Sequence, residues 1–162
     1  AEGRRKILHL TPHWVLRDYP YEQRRSGYAL AMLEAGFQPE FLGTESESAG
    51  AGEAALAQYL RDHEAPEAII CFQDAIAIGA YRHIVAHGIS VPDECAIWGY
   101  GNVPEVADYP IPTLSAPYDL LSREGVELLL ERSLDPKRPE VRLNYDLEVF
   151  TPESRAFAAK SE

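Results

Sequence analysis

The sequence predicts an α/β fold, a parallel sheet with helices on both faces, and three observations predict it. Short apolar runs at residues 68–72 and 95–99, and a third at 5–10, are continuous rather than alternating, as strands buried on both faces are. Helical patterns lie between them and stop at Gly36 and at His87-Gly88, where a C-cap glycine is expected. Residues 66–103, PEAIICFQDAIAIGAYRHIVAHGISVPDECAIWGYGNV, join strand, helix and strand into one βαβ unit. Such a unit puts its ligand chemistry at the carboxyl ends of its strands, here Phe72-Gln73-Asp74 and Gly99-Tyr100-Gly101-Asn102.

Taken in order, residues 5–10 (RKILHL) are a strand bounded by the breaker Thr11-Pro12, and residues 13–20 (HWVLRDYP) a loop. Tyr28, Leu30, Ala31, Met32 and Leu33 place a helix over 21–35. Glu40-Phe41-Leu42 is a short strand, TESESAGAG a polar small-residue segment, and 53–62 a helix. The strand at 68–72 leads into a helix over 75–86, and the next buried strand is 95–99. Pro104, Pro110, Pro112 and Pro117 then mark a long irregular connection of the kind that joins lobes. A strongly apolar helix follows at 120–130, a turn at Asp135-Pro136, and an alternating strand at 141–150. There is no internal repeat.

Composition narrows the functions this chain can carry. At 162 residues and 46% hydrophobic content it can bury a core without staples. No window approaches 18 uncharged apolar residues, so no membrane partner is expected, and the apolar part of AEGRRKILHL is too short for a signal peptide. Fifteen basic against 26 acidic residues give a charge of −11, which repels phosphate backbones and argues against this segment itself gripping nucleic acid. Cys71 and Cys95 fall in apolar strands without a CxxC pairing and read as buried free thiols of a reducing, cytoplasmic compartment. There is no nucleophile elbow, phosphate loop or Cys/His arrangement, so neither an enzyme nor a cofactor is expected. His83 and His87 share a helix face at i, i+4 but lack a third ligand, and read as a solvated face near a helix end rather than a metal site.

Five motifs in order carry a family resemblance: Arg24-Arg25-Ser26-Gly27-Tyr28 with Ala31-Met32 and Ala35-Gly36; residues 68–74 with Ala77-Ile78-Gly79-Ala80; residues 88–94 (GISVPDE); Trp98-Gly99-Tyr100-Gly101-Asn102; and Tyr109-Pro110. In this order and spacing they resemble the effector-binding domain of LacI/GalR-type transcription regulators, which have the fold of periplasmic sugar-binding proteins. The resemblance implies a small polar effector (sugar, nucleoside or a related molecule) in a cleft between two lobes, a homodimer, and DNA contact only through a separate N-terminal helix-turn-helix domain absent here. It further implies that residues 13–112, with the strand 141–150, form one lobe, and that 1–12 and 113–140 are a remnant of the other. A periplasmic solute-binding protein is the second reading, and a degenerate domain that only dimerises the third.

The resemblance also assigns candidate site residues. Arg24, whose planar guanidinium suits vicinal hydroxyls or a carboxylate, would anchor the ligand. Gln73 and Asp74 stand at the family's usual Asn-Asp, although Asp74 is equally placed to N-cap the helix that follows. Phe72, Tyr100, Gly101 and Asn102 would line the floor. Gly101 departs from an Asp common in relatives, and Ala116 from a Gln; a standard pyranose pose then loses two acceptors. His13, Trp14, Asp18, Tyr19 and Tyr21 are the substitute contacts expected from the preceding loop. The apolar Leu120-Leu121 and residues 126–130 need a cover, which the expected dimer supplies.

Overall fold

The computed structural model describes residues 3–19 and 22–154; the expected contact Tyr21 lies outside them. Six strands form one sheet in the order β2-β1-β3-β4-β5-β6: β1 (Ile7–Pro12), β2 (Glu40–Thr44), β3 (Ala68–Cys71), β4 (Ala96–Tyr100), β5 (Thr113–Ser115) and β6 (Glu148–Phe150). All neighbours run parallel except β5 and β6. Among the described residues five α-helices accompany them, α1 (His13–Asp18), α2 (Gln23–Glu34), α3 (Ala49–Tyr59), α4 (Asp74–Ala86) and α5 (Tyr118–Leu134), with a short 3-10 helix at Pro104–Asp108. The α/β class, the parallel strands and the helices on two faces are as the sequence predicts.

One face of the sheet is closed. Leu8, Leu10, Ile69 and Ile97 point to it, essentially without solvent exposure, and meet Leu56 of α3 and Ile76 and Ile84 of α4. The two helices cross at contact distance because Gly79 has no side chain: a Cβ there would sit 1.9 Å from the Ala49 carbonyl oxygen. The opposite face is half open. There α2 lays Tyr28 on the ring of His9, with centroids 5.1 Å apart, and the Tyr28 hydroxyl donates to the Ile7 carbonyl. Beyond this helix Ile70 remains 37% exposed.

Four expectations need correction. Residues 7–12, expected within a remnant of a second lobe, form β1, hydrogen-bonded to β2 on one side and β3 on the other and so an interior strand of this sheet, with Leu8 and Leu10 buried. Residues 113–115 likewise belong to this sheet, as the parallel neighbour of β4. The loop after β1 contains the one-and-a-half-turn helix α1; Pro12 presets its entry and Val15, fully buried, pins it. Of the strand expected over 141–150 only Glu148–Phe150 pairs, because its partner β5 offers just three residues between Pro112 and Ala116-Pro117. Helix α5 forms as expected but buries none of its side chains.

Candidate functional site

Chain order reverses between β1 and β3: after β1 the chain turns outward to β2, then returns across β1 to continue at β3. Parallel sheets open a crevice outside the carboxyl ends at such a switch point. Here the crevice is flanked by the first turn of α2, the β3–α4 junction and the end of β4. It is a cleft of about 370 Å³ lined by Arg24, Gln73, Asp74, Ala75, Tyr100, Gly101, Val103 and Tyr118.

Arg24 is held by Phe72 and by Glu22. The guanidinium lies flat on Phe72, 3.5 Å from the ring centroid, and 4.9 Å from that of Tyr100. Its Nη1 donates to the Phe72 carbonyl at 3.0 Å and its Nε to Glu22 at 2.8 Å. The Nη2 amino group has no hydrogen-bond partner among the described residues. Phe72 is in turn backed by the edge of Trp14, 5.8 Å away. An arginine stacked and anchored in this way presents its remaining donors in one fixed plane, with little rotamer entropy left to lose on binding.

Asp74 has a different task. Gln73, with extended backbone, is the N-cap residue of α4, so Asp74 enters the helix and its carboxylate reaches across to the strand ends. It is 1% exposed; Oδ1 accepts from the Thr113 hydroxyl at 2.6 Å and Oδ2 from the Val103 N–H at 2.9 Å. Asp74 therefore clasps the β4–β5 connection to α4, and both its oxygens are engaged by the protein. Gln73 sends its amide nitrogen to the Glu47 carbonyl at 2.7 Å, tying the mouth of the cleft to the β2–α3 loop.

At the cleft floor Gly101 adopts φ +123°, which residues with a side chain avoid, and Asn102 follows at φ 52°. An added Cβ at 101 would lie 3.5 Å from Asp74 Oδ2. A carboxylate grafted there would face another carboxylate on a backbone unsuited to it, so the glycine fits its surroundings.

The expected contacts divide accordingly. Arg24, Gln73, Asp74, Tyr100 and Gly101 line one cleft, with Phe72 buried beneath Arg24 rather than lining the floor, and Trp14 against Phe72. Asn102 turns toward a separate hollow with Val103, Pro104 and Phe150, while its N–H donates to Thr113. His13 lies over Gly43 with its Nε2 3.4 Å from the Glu45 carboxylate, and Asp18 pairs with its neighbour Arg17 at the surface; neither joins Arg24. Tyr19 meets the edge of Trp14.

Three contributors had gone unnoticed in the sequence. Glu22, which caps α2 by accepting from the Arg25 N–H, could have been found as an acidic residue at a helix start. Thr113 carried no local signal for its bond to Asp74, nor did Tyr118 for its place in the wall. The Tyr118 phenol is held above its ordinary range by burial and by the neighbouring Tyr100.

Comparison with known proteins bears on the fold. The model of the periplasmic binding protein-like domain family matches residues 1–149. The ribose operon repressor of Haemophilus influenzae is 30% identical over 155 residues, which cover 93% of this chain and 44% of the repressor. A LacI-family transcriptional regulator from Sanguibacter keddieii superposes with a TM-score of 0.80 at 27% identity, over 94% of this chain and 59% of that one. A LacI-family regulator from Enterococcus faecium, solved with bound ribose, superposes with a TM-score of 0.75 at 26% identity, over 92% of this chain and 57% of that one. The chain thus spans between two fifths and three fifths of the relatives named. No helix among the described residues is long and apolar enough to cross a membrane.

Proposed function

The chain belongs to the periplasmic binding protein-like family, in the form that serves LacI-type regulators as effector domain, and from that premise we propose that it is the sensing lobe of a cytoplasmic DNA-binding repressor. A small polyhydroxylated molecule enters the cleft at the β1–β3 switch point. Its differential affinity for two lobe arrangements biases the attached DNA-binding heads. The observation that carries this reading is Arg24, laid on Phe72 and bonded to its carbonyl, with Nη2 left to a ligand at the mouth of the crevice. Ribose is the first candidate, since one relative is named for its operon and another was solved with ribose bound.

The partners follow from composition and surface. With a charge of −11 the chain itself should bind no operator, and DNA contact falls to a separate helix-turn-helix domain. The bare leucines of α5, Leu129 at 72% and Leu134 at 87% exposure, support a homodimer that covers them.

Calorimetry of the full-length regulator against sugars, nucleosides and sugar acids tests the reading. Ribose or a related polyol should release heat, and Arg24→Ala should weaken it at least about tenfold, as loss of a charge-assisted hydrogen bond does. No heat across the panel would instead favour a domain that only dimerises, the reading to which Gly101 and Ala116 lend support by offering no side-chain acceptor.

A further inference from the structure

We propose that Glu22 sets the charge class of the effector: by pairing with Arg24 it makes the cleft accept neutral polyols and refuse anionic ones, such as sugar phosphates and sugar acids. This rests on the reading of the cleft as the effector site.

An unpaired arginine at a cleft mouth is a ready anion receptor, because its donors match carboxylate and phosphate oxygens two at a time. Here that capacity is already spent within the protein. Glu22 Oε1 accepts from Arg24 Nε at 2.8 Å and Oε2 accepts from the Arg25 N–H at 2.8 Å, so the carboxylate is fixed at both oxygens. Its side chain is only 16% exposed, and that of Arg24 34%, so solvent screens the pair incompletely. Burial alone would raise the Glu22 pKa, but the hydrogen bonds from Arg24 and Arg25 outweigh it and hold the carboxyl below its usual range, ionised at neutral pH.

The rest of the cleft does not restore a positive field. Asp74 brings a second carboxylate to the same wall, and its charge in the first turn of α4 offsets the positive end of that helix. An arriving anion meets one cation already matched by a carboxylate, and a second carboxylate beyond it. A neutral polyol needs only hydrogen bonds, which Nη2 still offers, and its carbon face can lie against Tyr100. Glu22 is thus a positioning and selecting residue: it aims Arg24 and cancels its charge without itself reaching the ligand.

The test uses inorganic phosphate and ribose as probes on the purified full chain. Phosphate should bind the native protein weakly, and Glu22→Gln, which keeps an acceptor for the Arg25 N–H, should bind it at least tenfold more tightly in phosphorus NMR titrations. Glu22→Ser, which retains an N-cap oxygen, should do the same and stands in if the glutamine variant folds poorly. Glu22→Asp, with the charge kept, should refuse phosphate as the native protein does. Adding Arg24→Gln to either neutral variant should abolish the gain. Phosphate binding equally tight in the native protein and the neutral variants, or a gain that survives loss of Arg24, overturns the proposal. Absence of ribose binding together with the expected phosphate pattern would instead sink the sensor reading and leave the role of Glu22 standing.

Discussion

Helix α4, with nine apolar residues in 13, and helix α5, with eight in 17, end in opposite circumstances. Of the 13 residues of α4 eight are buried, among them Ile76, Ala77, Ile84 and the clasp Asp74, whereas α5, with 17 residues, buries none. Both helices are legible in the sequence, but only α4 has a sheet face and a neighbouring helix to lie on. A helix in water owes most of its stability to the packing of its apolar face rather than to propensity. The difference therefore teaches where the stability of this chain resides: in the closed face of the sheet, with the half-open face intermediate and the α5 arm contributing little by itself.

The contrast is tested first where it should be greatest. Ile84 is fully buried at the contact of α4 with the sheet. Ile84→Ala should cost about 2–5 kcal/mol, the range for emptying a packed aliphatic site. Urea unfolding followed by circular dichroism would read this, and a loss under about 1 kcal/mol would mean that the closed face is not the stabilising one.

The half-open face supplies the next effect, through pH. His9 is buried beneath Tyr28, and burial drives its pKa from 6.5 down to about 4, against the raising effect of the Ile70 carbonyl bonded to its Nδ1 and of Glu22, while Arg24 and Arg25 lower it further. The folded state thus holds this imidazole neutral while the unfolded chain protonates it at ordinary pH. Its contribution is intact above pH 6.5 and is lost as pH falls toward 4, a shift worth roughly 3 kcal/mol if fully expressed. Urea midpoints between pH 7 and 4.5 should fall more steeply for the native chain than for His9→Gln. Parallel curves would show that this face admits water and a proton freely.

How much of this was legible follows the same division. The strands β1, β3 and β4 and the helices α2 and α4 announce themselves through continuous apolar runs and glycine stops, and the strand ends at Phe72 and Tyr100 border the candidate cleft. What the sequence hides is decided by partners. Residues 141–147 alternate like a strand, yet pairing stops at Glu148 because β5 is short. Residues 5–10 read as a strand without saying which sheet takes them, and only pairing with β2 and β3 makes β1 an interior strand of this one. Helix α1 has just six residues and no side-chain cap, too little periodicity to separate it from a loop. At the site, Arg24 is suggested by its motif, but its stacking on Phe72 and the clasp of Asp74 on Thr113 join residues 48 and 39 positions apart and have no local signature.

The smallest effect sharpens the comparison most. Leu129 of α5 is 72% exposed, so Leu129→Ser in a dilute sample should change unfolding free energy by less than about 0.5 kcal/mol, as exposed substitutions do. If a second copy covers α5, the same substitution should matter at high concentration, where the native chain gains stability by mass action and the variant does not. Sedimentation velocity and thermal unfolding over a hundredfold concentration range would separate the cases. A native chain that sediments as a monomer throughout, with a concentration-independent melting temperature, would leave α5 bare and remove the homodimer from the proposed function. A concentration dependence abolished by Leu129→Ser would place the missing packing of α5 between subunits, making the two helices alike in needing a covered face and different only in which chain provides it.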